Sequence, residues 1–167
     1  MTDVVIRAAR EIDMAAVTAI YADAVRYGTA TFEIEPPDKA EMTQRFLDYT
    51  SGGFPYLVAE CDGQVAGYAY ACLHRTRPAY RYTLEDSIYL APQFHRRGIG
   101  RALLDRLLVE GAERGFHQMV AVIGDSAQAG SIALHRAADF RLVGTLEAVG
   151  YKFGRWLDTV LMQREIG

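Results

Sequence analysis

The residues best suited to chemistry lie in one run, Tyr89-Leu-Ala-Pro-Gln-Phe-His-Arg-Arg-Gly-Ile-Gly-Arg101. An apolar strand pattern enters a short loop with two glycines and three arginines, and an amphipathic helix pattern follows at once. Such a junction aims unpaired backbone N–H groups and the positive end of a helix at an anion. Gly98 and Gly100 carry no Cβ, so a ligand can come close to the backbone. Arg96, Arg97 and Arg101 add positive charge. The chemistry implied is the binding of a diphosphate. Two familiar phosphate motifs do not fit. Gly100 is followed by Arg101-Ala102, not by the Lys-Ser/Thr of a P-loop, and Leu103 stands where a dinucleotide fingerprint needs its third glycine. On this spacing alone, a plain strand-to-helix turn with solvated arginines remains an alternative.

The elements around this run must position it. Val4–Ile6 reads as a short strand. Residues 11–27 have helical spacing, with Ile12, Ala16, Ile20 and Ala24 on one stripe and Gly28 as a stop. Pro36-Pro37 ends any helix in the loop that follows. Asp38 and Glu41 read as a capping box opening a second helix through about residue 49. Asp62-Gly63 between two apolar runs, 56–61 and 64–73, signals a hairpin. A basic loop, 74–80, leads to a fourth strand at 82–90. After the glycine loop, Leu103, Leu104, Leu107, Leu108 and Gly111 form the apolar face of a third helix. The wholly apolar run 119–123 reads as an interior strand. A short helix at 131–138 and closing strands at 141–149 and 152–162 complete the order β-α-α-β-β-β-α-β-α-β-β. A bulge in the fourth strand would alter which face each of its side chains takes.

Composition narrows the class. With 167 residues, 50% hydrophobic and 23% charged, the chain suits one α/β domain over residues 1–167. A net charge of −3 argues against a nucleic-acid binder, so the arginines are a local feature. Cys61 and Cys72 are too few for a disulfide scaffold or a zinc site and are expected as reduced, buried thiols. No cluster has metal-ligand spacing, so no metal is expected. No apolar h-region precedes a cleavage site and no run reaches 18 apolar residues, so neither membrane insertion nor export is expected and the setting is cytoplasmic.

The order of elements resembles the GNAT N-acetyltransferase superfamily. His95-Arg96-Arg97-Gly98-Ile99-Gly100 is similar to its signature Gln/Arg-x-x-Gly-x-Gly/Ala, with His95 as the departure. Thr31-Phe-Glu-Ile-Glu-Pro36, Leu57-Val-Ala-Glu60, Thr83-Leu-Glu-Asp-Ser-Ile-Tyr89, Val120-Ala-Val-Ile-Gly124, Ser131-Ile-Ala-Leu-His135 and Gly150-Tyr-Lys-Phe-Gly-Arg-Trp-Leu-Asp158 resemble the phosphinothricin and methionine sulfoximine/methionine sulfone acetyltransferase branch. The resemblance implies a mixed sheet of about seven strands flanked by about four helices. It also implies acetyl-CoA as donor, a small-molecule amine as acceptor, and a homodimer.

Site residues follow from the same resemblance. Glu85 falls at the position of the catalytic glutamate, a base for the substrate ammonium. Ile88, Tyr89 and Leu90 would offer backbone groups to the pantetheine arm where the strand splays from its neighbour. Arg96, Arg97, Gly98, Ile99, Gly100 and Arg101 would hold the diphosphate. His135 takes the place of a tyrosine that protonates the thiolate, and Gln128 that of an asparagine that contacts the cofactor. Arg75, Arg77 and Arg81 suit a carboxylate and a tetrahedral polar tail. Phe32 and Trp156, with Glu33, Lys152 and Phe153, would wall the pocket, across a dimer interface in one arrangement. The reading is acetylation of the α-amine of a small amino-acid analogue. The alternatives are another amine, such as a peptide N-terminus or a polyamine, or a non-catalytic acyl-CoA-binding module.

Overall fold

A computed structural model describes residues 3–167. The chain runs β1 (Val4–Ala8), α1 (Met14–Tyr27), α2 (Lys39–Ser51), β2 (Tyr56–Cys61), β3 (Gln64–Leu73), β4 (Thr83–Leu90), α3 (Ile99–Glu113), β5 (Gln118–Gly124), α4 (Ala129–Ala137), β6 (Arg141–Lys152) and β7 (Arg155–Glu165). This is the expected α/β order of seven strands and four helices. The strands form one sheet in the order β1-β2-β3-β4-β5-β7-β6. Every pairing is antiparallel except β4 with β5. Among the described residues, no helix is long and apolar enough to cross a membrane.

Local chemistry accounts for the joints. Asp62 and Gly63 both take positive φ, 52° and 75°, so the β2–β3 hairpin turns as its Asp-Gly pair predicts. The Asp38 side chain accepts the Glu41 N–H at 2.8 Å and caps α2. Only that half of the box forms, because the Glu41 carboxylate bonds Arg45 instead. Helices cover both faces of the sheet. Gly111 lets α3 sit against Leu84, where a methyl group would meet Leu84 at 3.2 Å. On the other face, Tyr21 of α1 meets Tyr89 edge-on, with ring centroids 5.1 Å apart.

Several expectations shift. Residues 11–13 form a 3-10 turn, and α1 starts at Met14. Its buried stripe is Met14, Val17, Ile20, Tyr21 and Val25, while Ile12 is 79% exposed. The apolar residues alone were ambiguous there, because small alanines fit either stripe. Lys152 closes β6 and does not open β7; the turn is Phe153-Gly154, both with positive φ. The β3–β4 register is unbroken from Gly67↔Leu90 to Leu73↔Leu84, so β4 has no bulge against β3. Register shifts occur instead in β2–β3 and β6–β7. Both cysteines are free; Cys61 is buried, whereas Cys72 is only partly so.

The revised stripe has a direct consequence. Met14→Ala should cost about 2–5 kcal/mol of stability in urea denaturation. Ile12→Ala should change it by less than about 0.5 kcal/mol. Equal losses would restore the stripe through Ile12.

Candidate active site

β4 and β5 pair over only three positions, Thr83↔Gln118, Leu84↔Met119 and Glu85↔Val120. Beyond Glu85 the strands part. β4 stays bonded to β3 as far as Leu90, and β5 stays bonded to β7 as far as Gly124. The sheet therefore opens between two strands that are each held from outside. Asp86, Ser87, Ile88, Val122 and Ile123 border a small cavity of about 60 Å³ at this gap. It adjoins a cleft of about 640 Å³, and Ala30, Ile88, Tyr89, Gln128 and Ser131 line both.

The outer cleft brings together most of the expected cofactor residues. Ile88, Tyr89, Leu90, Arg96, Gly98, Gly100, Arg101 and Gln128 all line it. Gly98 sits at φ 77° and ends the loop. Arg96 takes φ 61°, a backbone region that costs a residue with a Cβ, so its main chain is held open by the loop around it. No side chain caps α3. Its first internal bond runs from the Ala102 N–H to the Gly98 carbonyl at 3.1 Å. The amides of Ile99, Gly100 and Arg101 precede that bond and so have no partner within the helix.

Four of the expected cofactor residues, two of them in the cleft lining, also make contacts within the protein. The Ile99 side chain is in the core, so only its amide is available to a ligand. The Arg97 guanidinium lies over the Phe94 ring, 5.3 Å from its centroid, and is not a cleft-lining group. Arg101 donates to Asp105 and to the Ala137 carbonyl, both at 2.7 Å, and so also ties α3 to the end of α4. Gln128 has its amide N–H₂ engaged at Thr29 Oγ1, 3.0 Å away, and the residue lines both cavities.

The two adjacent carboxylates of β4 point to opposite faces, as strand alternation requires. Glu85 is half-buried, and its Oε2 lies 2.9 Å from His74 Nδ1. Cys72 is its cross-strand partner, and burial followed by the Glu85 charge pushes that thiol up to about 11. Asp86 is buried on the α4 side, with Oδ2 2.8 Å from His135 Nε2. His135 Nδ1 lies 2.8 Å from the Ser131 carbonyl. A carbonyl only accepts, so Nδ1 carries a hydrogen, and Nε2 shares its proton with Asp86. The side chain of His135 is 5% exposed, yet the residue borders the small cavity. Neither His74 nor the Asp86–His135 pair was expected from sequence. Continuing the antiparallel β3–β4 register would have found the first, because residues 72 and 85 face each other.

The other expected substrate residues divide. Arg75 and Arg77 are exposed on the loop after β3, near His74 in the chain. Arg81 instead donates to the Pro78 carbonyl at 3.1 Å and lies over the Tyr82 ring. Phe32 packs over Gly124, where a methyl group would meet its ring at 2.9 Å, and over Gly150; it seats its own loop. Trp156 is 67% exposed on the β6–β7 hairpin, beside Tyr151, and lines neither cavity. Lys152 is buried and donates to the Gly28 and Thr31 carbonyls at 2.8 and 2.9 Å. It holds the loop that bears Ala30.

The acetyltransferase (GNAT) domain family matches residues 6–161. A phosphinothricin N-acetyltransferase from Alcaligenes faecalis is 50% identical over 161 residues, covering 96% of this chain and 82% of its own. A methionine sulfoximine/methionine sulfone acetyltransferase from Salmonella typhimurium is 39% identical over 96% of this chain and 94% of its own. The crystal structure of a phosphinothricin acetyltransferase from Sinorhizobium meliloti, in complex with acetyl-CoA, superposes with a TM-score of 0.96 at 49% identity, over 98% of this chain and 89% of that one. The chain belongs to the GNAT acetyltransferase family. It is an enzyme of the N-acetyltransferase type.

The buried pair makes stability depend on pH. Burial opposes charge on His135, but the Asp86 bond and charge and the Ser131 carbonyl outweigh it, so its pKa is raised. The folded protein then keeps a proton that the unfolded chain releases near about pH 6.5. This stabilisation is complete below that pH and is lost as pH rises through the higher folded value. The urea midpoint of the wild type should therefore fall above about pH 6.5, and Asp86→Asn should flatten that fall. An unchanged slope in the variant would remove the pair as its source.

Proposed function

We propose that the chain transfers an acetyl group from acetyl-CoA to the α-amine of a small amino-acid analogue of the phosphinothricin, methionine sulfoximine or methionine sulfone type. The single observation that carries this is the opening of β4 from β5, continuous with the amide-lined cleft at α3. The diphosphate lies at the amides of residues 98–101, with Arg96 and Arg101 adding charge. The pantetheine arm runs along the free edge of β4 at Ile88–Leu90, pairing as an added strand. The thioester then reaches the small cavity, where a β4 amide stabilises its oxygen as charge builds.

The Glu85 carboxylate takes a proton from the substrate ammonium, directly or through a water. The freed nitrogen attacks the thioester carbonyl, the C–N bond forms and the C–S bond breaks. The leaving thiolate takes a proton from the His135–Asp86 pair, which is restored by the proton that the new amide nitrogen loses. Transfer is direct, with no acyl-enzyme. Arg75 and Arg77 hold the carboxylate and polar tail of the acceptor. The names of the relatives support this acceptor class.

A homodimer accompanies the reading. β6 is an edge strand whose outward Leu142, Leu146, Val149 and Tyr151 are exposed, an unusual amount of apolar surface for an edge. A second copy covering it would also bring Trp156 and Phe153 toward the neighbouring site. Light scattering should give twice the chain mass, and Leu146→Arg should give the single mass; a wild-type single mass removes the dimer.

The chemistry has its own test, thiol release from acetyl-CoA with a panel of amines. Methionine sulfone or sulfoximine should turn over and polyamines should not. Glu85→Gln should lower kcat by about 10²- to 10⁴-fold with acetyl-CoA affinity unchanged. Arg75→Ala should raise KM for the acceptor more than it lowers kcat. Turnover only with peptides or polyamines would replace the acceptor class, and tight cofactor binding without turnover would replace the enzyme by a binding module.

A further inference from the structure

We propose that His74 is the proton exit of the active site, carrying to solvent the proton that Glu85 takes from the substrate. The inference rests on Glu85 as base, and deepens it. Glu85 is the last β4 residue paired with β5, so it stands at the start of the gap. Ser87, two residues on and on the same face, borders the small cavity. A two-residue step along a strand is about 7 Å, so the acceptor nitrogen meets Glu85 before it meets His74. His74 lies on the far side of Glu85 from the gap, with its amide bonded to the Thr83 carbonyl at 3.0 Å.

The ring is placed for relay. Nδ1 faces Glu85 Oε2 at 2.9 Å, while Nε2 has no hydrogen-bond partner among the described residues. The side chain keeps 20% of its surface in contact with solvent. Tyr80 meets the ring edge-on at 6.2 Å and sets its plane. The titratable groups around the pair are Glu85 of β4, Cys72 of β3 and Tyr80 of the loop turn, with Arg75 next in the chain. Glu85 itself keeps 32% of its side chain exposed; where substrate and donor cover that surface, the ring is the hydrogen-bonded neighbour left to take its proton.

The proton count closes. The substrate ammonium gives one proton to Glu85. Glu85 passes it to His74 Nδ1, and His74 Nε2 releases a proton to buffer. The ring returns to its first tautomer before the next cycle. The second proton on the attacking nitrogen ends on the CoA thiol. One proton per turnover leaves the protein, as the conversion of an ammonium and a thioester to an amide and a thiol requires. An imidazole suits this task because it can take a proton on one ring nitrogen while it gives one up from the other.

The test is chemical rescue, with methionine sulfone and acetyl-CoA as substrates in dilute buffer. His74→Ala should lower kcat by about tenfold or more and leave the acceptor KM and acetyl-CoA affinity within about twofold. Added imidazole should restore kcat with saturation in His74→Ala. It should do nothing in His74→Phe, which fills the space and keeps the Tyr80 contact. Unchanged kcat in both variants would overturn the proposal, and so would a loss that imidazole and buffer concentration do not restore. A wild type inactive with every amine would sink the acetyltransferase reading itself, and the relay with it. Wild-type activity beside an insensitive His74→Ala would sink the relay alone.

Discussion

The parting of β4 from β5 is the constraint around which the molecule is organised. Parallel strands need a crossover connection, and here α3 supplies it, so β4 must end where the α3 loop begins. Three residue pairs hold the two strands, and then nothing does. Each strand keeps its direction because its outer neighbour holds it, β3 for β4 and β7 for β5. The unpaired backbone from Asp86 onward would be a liability on an ordinary edge. Inside a sheet, covered by α3 and α4, it becomes a slot lined on both sides by held strands.

Polar side chains keep that slot in shape. The Asp86–His135 bond links β4 to α4 across the opening. Thr29 donates to Asp125 at 2.8 Å and accepts from Gln128, so the α1–α2 loop is pinned to the β5–α4 loop. The Ala127 amide, and then Thr29 and Arg155, hold the Asp125 carboxyl below the usual carboxylate range against its burial. Lys152 reaches the same loop from β6. Burying an ammonium is costly unless its hydrogens are met, and carbonyls meet two of the three here. The loop that bears Ala30 thus depends on residues 96 to 124 positions away in the chain.

Much of this was legible in the sequence because the signals were local. The glycine loop, the Asp-Gly turn and the leucine face of α3 each follow from a few neighbouring residues, and each formed as expected. Resemblance added the strand that splays and the position of Glu85. What escaped was the company each residue keeps. Gln128 and Lys152 read as candidates to touch ligand, yet both spend hydrogen bonds on the 28–31 loop. Ile99 and Arg97 sit in a phosphate motif, but the side chain of one is core and that of the other rests on Phe94. The pairings of His74 with Glu85 and of His135 with Asp86 join residues 11 and 49 positions apart. Only the strand register and the seating of α4 bring them together, and neither is written in a short window.

If the gap beside Glu85 receives the acyl end of a CoA thioester, a crystal structure with a non-hydrolysable acetyl-CoA analogue will show the diphosphate on the amides of residues 98–101, the pantetheine arm along Ile88–Leu90, and the acetyl group between Ser87 and Val122. A tightly bound analogue with its acyl end elsewhere, or with β4 and β5 closed against each other, would rule out the gap as the acyl site.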